Sequence, residues 1–256
     1  MQITKFLSIL LFTSLILVGC SDDDDNNLIP AIESPNVQPL GTSANDLLSD
    51  TNFRGVTIEI VSVQGFEPTT AAINTFRSFL EERLFKPDGI TINQRTVSSS
   101  GLSPFNIEKI KQIETTTRTA FNEGDEITVY IYFADGTNDA DDGSRVTLGT
   151  AYLNTSIVIY ESTLRNLSAN PNAPMLSTIE AATLNHEFSH LMGLVNIGTP
   201  LQSQHENTVS RGHCNVQNCL MESAIEFGNG MMDMLGNGVP ELDPLCIADL
   251  QANGGR

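Results

Sequence analysis

The stretch that decides the fold of this chain runs from Ser177 to Leu194 and reads STIEAATLNHEFSHLMGL. Its apolar residues recur at helical spacing over a broad face, which predicts a helix over 177–194. His186 and His190 are four residues apart, so on a helix both imidazoles project from one face. Together they offer two nitrogen ligands to one cation, and the neighbouring Glu187 is placed to take a proton from water.

Composition limits the possible partners. The chain has 256 residues, of which 40% are apolar, so it can form at least one domain with a sizeable core. Its formal net charge of −18 makes the surface repel nucleic acid and anionic lipid. We therefore expect no nucleic-acid partner, and we expect a monomer outside the cytoplasm.

The N-terminal residues predict a targeting segment. Phe6–Val18 is an apolar run that is shorter than a membrane span and ends in small residues. Leu17-Val18-Gly19-Cys20 resembles the bacterial lipobox, in which the cysteine receives lipid. The Asp run at 22–25 resembles the surface-export tether of Bacteroidota lipoproteins. We expect 1–19 to be a lipoprotein signal peptide, and lipid on Cys20 to anchor the protein to the outer membrane or cell surface. A plain signal peptide with an incidental cysteine is the alternative.

The rest of the chain predicts a tether followed by one folded domain. Residues 20–52 are rich in Pro, Asn, Ser and Asp without periodicity, which indicates a disordered acidic tether. The domain over 53–256 divides into an N-terminal part, 53–193, and an irregular C-terminal part, 194–256. Strands are predicted over 56–63, 89–97, 126–134, 146–153 and 156–161, and helices over 70–85, 107–121, 177–194 and 243–253. This order predicts an α/β (α+β) fold.

The motif helix resembles one protein family at its end. His186 to Gly193 reads HEFSHLMG and is similar to the HExxHxxG of metzincins, a family of zinc metallopeptidases. The resemblance implies that Gly193 lets the chain turn sharply and that a histidine three residues later is the third zinc ligand. Here that residue is Asn196, a poor zinc ligand.

A second segment resembles a particular branch of that family. His213 to Met221 reads HCNVQNCLM and is similar to the HCx4CxM of archaemetzincins. The resemblance implies that His213 joins His186 and His190 as a zinc ligand, that Met221 forms a turn beneath the metal, and that Glu187 is the catalytic base. His205 is the alternative third ligand.

The resemblance also implies an architecture. A metzincin-like fold has a mixed sheet whose edge strand aligns an extended substrate, and a C-terminal subdomain with the Met-turn and a final helix. Ser156–Tyr160, the last predicted strand before the motif helix, is the candidate edge strand. An interior strand is the alternative for that segment.

Two further features concern metals. In archaemetzincins four cysteines hold a second, structural zinc; this chain has Cys214, Cys219 and Cys246, and Asp243 could replace the missing thiolate. In an oxidising compartment a disulfide among the three is the favoured alternative. The loop Asp135–Gly143 could hold calcium through its carboxylates, but it lacks EF-hand spacing and predicts a solvated turn. We therefore expect a single catalytic zinc.

Three classes of function follow from these residues. The leading hypothesis is a zinc-dependent endopeptidase that hydrolyses peptide or protein substrates with Glu187 as general base. A catalytically inactive, metzincin-like surface binding lipoprotein is an alternative because Asn196 occupies the usual ligand position. A zinc amidohydrolase that does not act on peptides is the other alternative.

Overall fold

The core of the protein is a five-stranded mixed sheet in a computed structural model that describes residues 34–142, 145–227 and 235–256. In chain order its strands are β1 (Gly55–Val63), β2 (Gly89–Val97), β3 (Glu126–Phe133), β4 (Gly149–Leu153) and β5 (Ser156–Ile159). The helices are α1 (Ala44–Leu48), α2 (Thr70–Arg83), α3 (Ile107–Thr117), α4 (Glu161–Ser168), α5 (Leu176–Leu191), α6 (Ser223–Phe227) and α7 (Pro244–Ala252), with a 3-10 turn at Leu235–Asn237. The predicted α/β class is confirmed.

The strand order is β2-β1-β3-β5-β4. β1 is parallel to both β2 and β3, β5 is parallel to β3, and β4 is antiparallel to β5. The edge strands are therefore β2 and β4, and the prediction of Ser156–Tyr160 as the edge is wrong. β5 lies inside the sheet because its four residues, SIVI, are all buried and pair on both sides, whereas most of β4 is half-buried.

Helices cover both faces of the sheet. α2 and α5 pack together on one face, where the rings of Phe76 and Phe188 meet edge to face at 5.5 Å. α3 covers the other face with Ile110 and Ile113, against the apolar side chains of β1 and β3. Because both faces of the sheet are covered, β1 and β3 are buried along nearly their whole length, as central parallel strands are.

α3 ends earlier than its predicted boundary of 121. Arg118 leaves the helical conformation, and the carboxylate of Glu59 then accepts hydrogen bonds from the backbone N–H groups of Thr119 and Ala120, both at 3.1 Å. A buried acceptor on β1 therefore takes the amides that a longer helix would have used. This contact between distant residues is not visible in the sequence.

The expected disordered tether is wrong for residues 34–52. Leu47 and Leu48 of α1 are fully buried in the main core. Asn36 is also buried and donates to the carbonyl of Thr128 at 3.0 Å, so a polar residue fixes this segment to β3. The expected signal peptide, Cys20 and the tether up to 33 lie outside the described residues. Within the described residues, no helix has both the length and the apolar character needed to cross a membrane.

Candidate metal centre

α5 carries the two motif histidines through the centre of the molecule. Every residue from Ile179 to Leu191 is buried, as expected for a helix that is surrounded by protein on all sides. The Nε2 atoms of His186 and His190 are 3.2 Å apart. Two imidazole ligands on one tetrahedral zinc, each about 2.0–2.1 Å from the metal, lie about 3.3–3.4 Å apart. The pair therefore has the spacing of two ligands of one ion.

His213 is the third histidine of this group. Its ring centroid lies 5.3 Å from that of His186 and 5.2 Å from that of His190. Neither of the other candidates for this place is near: Asn196 is at the exposed surface, donating to Glu206 at 3.1 Å, and His205 belongs to a separate group. The structure therefore places His213, the third ligand that the resemblance implied, beside His186 and His190.

The turn after α5 depends on Gly193. This residue has φ +84°, a left-handed conformation that favours glycine, and a Cβ atom there would lie 2.4 Å from the backbone nitrogen of Thr199. Its carbonyl accepts hydrogen bonds from the backbone nitrogens of Ile197, Gly198 and Thr199, each at 3.1 Å. The chain turns sharply here, and the next segment returns His213 to the face of α5.

Backbone carbonyls orient all three rings. The Nδ1 atoms lie 2.7 Å from the carbonyl oxygen of Leu220 for His186, 3.0 Å from that of Leu194 for His190, and 3.3 Å from that of Arg211 for His213. A proton on each Nδ1 leaves each Nε2 with a free lone pair, which is the arrangement that metal-ligating histidines adopt. Burial also lowers the pKa of His186, and it lowers the pKa of His190 to about 4, so both rings are neutral.

Met221, the predicted Met-turn residue, directly follows Leu220 and is fully buried. The carbonyl of Met221 accepts a hydrogen bond from the backbone nitrogen of Cys214 at 2.7 Å. This bond joins the two ends of the HCNVQNCLM segment. The segment therefore fixes His213 at its start and, through Leu220, orients His186 near its end.

Glu187 lies against the edge strand. Its Oε2 accepts a hydrogen bond from the backbone nitrogen of Ala151 at 2.8 Å, and its buried Oε1 has no hydrogen-bond partner among the described residues. Burial raises the pKa of this carboxyl well above its usual range, and the nearby Glu226 raises it further. One oxygen is thus fixed by β4, and the other is available to a water or substrate atom.

Glu226 is a fourth member of the group that sequence reasoning missed. One carboxylate oxygen of Glu226 and one nitrogen of each histidine all lie within 4.8 Å of one another. The residue sits on α6, whose backbone contacts the start of the edge strand: the carbonyl of Glu226 accepts from the nitrogen of Leu148 at 2.8 Å. No spacing rule finds such a residue, because its place depends on how a five-residue helix packs against β4.

A second group of possible ligands lies nearby and is buried. It contains His205, Cys214, Asp243 and Cys246, with one ligand atom of each within 4.8 Å of the others. The Sγ of Cys219 is 3.8 Å from that of Cys246, and all three cysteines are free. The expected disulfide is therefore absent from the described part of the chain.

The cysteine thiols in and beside this second group differ in pKa. Hydrogen bonds from Cys219 and Cys246 lower the pKa of Cys214 to about 5, so Cys214 is the first to become a thiolate. His205 is oriented by Asp249, whose Oδ2 lies 2.7 Å from its Nε2, and its Nδ1 is 3.4 Å from the Cys214 sulfur. A cysteine thiolate and an oriented imidazole are ligands of the kinds that structural zinc sites use.

The acidic loop at 135–143 shows no third group among its described residues, which end at Asp142. Asp141 Oδ1 accepts from the nitrogen of Thr147 at 2.8 Å, and the Asn138 amide donates to the Tyr160 hydroxyl at 3.0 Å. These side chains stabilise the connection between β3 and β4, which fits the expected turn.

The sheet, the buried motif helix and the irregular C-terminal part together form an archaemetzincin-like fold. The solved structure of archaemetzincin from Methanopyrus kandleri matches it with a TM-score of 0.50 and 17% identity, over 78% of this chain and 96% of that one. Metalloproteinase-II from Bacteroides fragilis matches with a TM-score of 0.43 and 15% identity, over 79% of this chain and 54% of that one. No family model and no curated protein sequence matches the chain.

Proposed function

We propose that the protein is a zinc-dependent endopeptidase whose metal is held by His186, His190 and His213. The observation that carries this proposal is the convergence of three carbonyl-oriented imidazoles beside the buried carboxyl group of Glu187. The three nitrogens and their spacing suit zinc, and the low affinity of imidazole for calcium or magnesium argues against those ions.

Glu187 is the proposed general base. When bound, zinc supplies a Lewis acid that polarises the scissile carbonyl and lowers the pKa of water. Glu187 takes one proton from the attacking water on its free Oε1 and passes it to the nitrogen of the leaving amine. The Ala151 amide holds Oε2 during both transfers. The raised pKa of Glu187 suits a group that must accept and then release a proton.

The proposed substrate is an extended peptide that adds to β4. This strand is the edge of the sheet next to Glu187, and its pairing with β5 is interrupted between Ala151 and Leu153. A peptide that pairs with a sheet edge is held by main-chain hydrogen bonds, so cleavage inside a chain requires no free terminus. This favours an endopeptidase over an amidohydrolase that acts on small molecules.

The test compares metal content and cleavage of a mixed peptide library by wild type and Glu187→Gln. We expect wild type to cleave the library and to lose activity with a chelator, and Glu187→Gln to keep its zinc while cleavage falls at least about a hundredfold. Zinc-loaded wild type that cleaves no peptide would support the binding lipoprotein instead. Undiminished cleavage by Glu187→Gln would exclude Glu187 as the base.

We also propose a second, structural zinc held by Cys214, Cys219, Cys246 and His205. The 3.8 Å separation of the Cys219 and Cys246 sulfurs is close to the edge of a tetrahedral thiolate site, in which zinc–sulfur bonds are about 2.3 Å. We assign His205 as the fourth ligand because its Nδ1 lies near two of the sulfurs, 3.4 Å from that of Cys214 and 3.8 Å from that of Cys246. Asp243 lies beside the same group, but its Oδ1 caps α7 by accepting from the nitrogen of Leu245 at 2.7 Å.

The proposed location is extracytoplasmic, with lipid on Cys20 as the only membrane attachment. The lipobox-like LVGC and the acidic run behind it support this proposal. Fractionation of cells that express wild type or Cys20→Ser tests it: wild type should sediment with membranes and Cys20→Ser should not. Equal membrane association of both would contradict lipid anchoring at this residue.

A further inference from the structure

We propose that Glu226 is a fourth, displaceable ligand of the same metal, which closes the site at rest and leaves when substrate enters. The inference rests on the proposed function, since it assumes that the three histidines hold an ion. Glu226, which lies in the C-terminal part of the chain, would thereby restrain the activity of the site. Its evidence lies in the contact between Glu226 and His213 and in the way α6 is attached.

The contact between these two side chains has an unusual geometry. Oε2 of Glu226 lies 2.7 Å from Nε2 of His213, yet the two atoms do not form a directed hydrogen bond, and this nitrogen has no hydrogen-bond partner among the described residues. His213 is only 6% exposed, so water does not readily satisfy it. Two buried polar atoms that lie this close without a directed hydrogen bond would be stabilised by a cation bound to both. The 2.7 Å separation is shorter than the roughly 3.3–3.4 Å between two ligands of one tetrahedral zinc, so the two atoms would move slightly apart on binding it.

One carboxylate oxygen of Glu226 completes a four-atom group. It lies within 4.8 Å of the ligand nitrogens of His186, His190 and His213, which is the number of protein ligands that closed zinc sites use. Imidazoles that bind a metal through a lone pair contribute no charge, so the carboxylates of Glu226 and Glu187 would together balance one divalent ion. Without an ion, two carboxylates in one buried site repel each other.

The attachment of Glu226 allows it to leave. Its backbone is fixed, since Ile225 is buried in the core and the carbonyl of Glu226 accepts from the nitrogen of Leu148. Its side chain is 16% exposed and so reaches solvent on one side. Rotation of the side chain therefore frees one metal position without unpacking α6. A catalytic zinc needs that free position for water or substrate.

The test measures how readily a small anion reaches the metal. The protein is loaded with Co²⁺ in place of zinc, and azide is titrated while the visible absorption of the three-histidine site is followed. His190→Ala identifies which absorption change belongs to that site. We expect azide to bind Glu226→Gln at least about tenfold more tightly than wild type, because no charged ligand must be displaced. Glu241→Gln removes an equal charge from an exposed side chain and should match wild type.

Each outcome decides the question. Equal azide affinity in wild type and Glu226→Gln, with cobalt bound in both, would overturn the closing role of Glu226 and leave the proposed function intact. Tighter azide binding in both Glu226→Gln and Glu241→Gln would assign the effect to net charge and would also overturn it. A wild-type protein whose three-histidine site takes up no cobalt would overturn the proposed function along with this inference.

Discussion

Glu187 shows how closely single residues are fitted around this site. Its Oε2 is held by the amide of Ala151, and its side chain passes directly over Gly149, where a Cβ atom would lie 2.7 Å from Glu187 Cγ. Thr183 of α5 is equally close to that point, at 2.9 Å. Glycine at 149 is therefore needed so that the edge strand and the motif helix can approach each other.

The first prediction at this scale is that Gly149→Ala lowers peptidase activity at least about tenfold while zinc content stays the same, because a displacement of about 1 Å of a catalytic group is costly. Steady-state kinetics and metal analysis of the purified variants measure this. Gly236→Ala is the control, since a Cβ there meets no atom of the described residues within 4 Å. Full activity in Gly149→Ala would show that Glu187 tolerates a shift.

The sequence predicts individual residues well where chemistry depends on local spacing. His186, Glu187 and His190 are fixed by the helical period alone, and His213 was indicated by a motif. Glu226 could not be found this way, because it reaches the site from α6 through a contact with Leu148 that lies far away in the chain. The fold was also needed to assign His213 to the first ligand group and His205 to the second, since the two residues are only eight positions apart in the chain.

At the scale of elements, α4 and α5 bring two buried carboxyl groups together. Glu161 and Glu180 are both fully buried. Arg165 donates to Glu161 at 2.6 Å, and the backbone nitrogen of Thr69 donates to Glu180 at 3.1 Å. Burial raises the pKa of Glu161 to about 8, with a further contribution from the charge of Glu180. The protonated form of Glu161 is therefore the one that the folded state prefers.

This raised pKa predicts a loss of stability as pH rises. The folded state holds the Glu161 proton up to a pH of about 8, whereas an unfolded glutamate loses it near its ordinary value, about 4.3. Stability from this group is thus complete at low pH and falls as pH rises through that window. Urea unfolding at pH 5 and pH 9 should show a smaller fall for Glu161→Gln than for wild type. Equal falls would contradict the assignment.

Elements were predictable where their own pattern determines them. The strands β1, β2 and β3 and the helices α2 and α5 follow from runs and periods in the sequence. The edge position of β4, the end of α3 and the order in residues 34–52 do not, because each depends on a partner elsewhere. Asn36 is an example: its polar side chain suggests disorder, yet it is buried against β3.

For the whole molecule, the two ligand groups predict two zinc ions per chain. Metal analysis should give about two zincs for wild type and about one each for His213→Ala and His205→Ala. Loss of the second ion should lower the melting temperature of His205→Ala more than that of His213→Ala, because cysteine-rich structural sites contribute directly to folding.

The melting comparison has a clear contrary result. If His205→Ala keeps two zincs and its melting temperature is unchanged, then Cys214, Cys219 and Cys246 do not share an ion with His205.

Only part of this organisation could be predicted from the sequence. The sequence identified the three thiols, but a disulfide was the favoured expectation, and the fourth ligand depends on how Asp249 of α7 orients the ring of His205.

The central claim is that one zinc lies between His186, His190 and His213, and anomalous X-ray diffraction at the zinc edge tests it most directly. A crystal of the purified protein should show an anomalous peak about 2.0–2.1 Å from the Nε2 atoms of all three rings. No peak there, while a peak is present beside Cys214 and His205, would contradict the account.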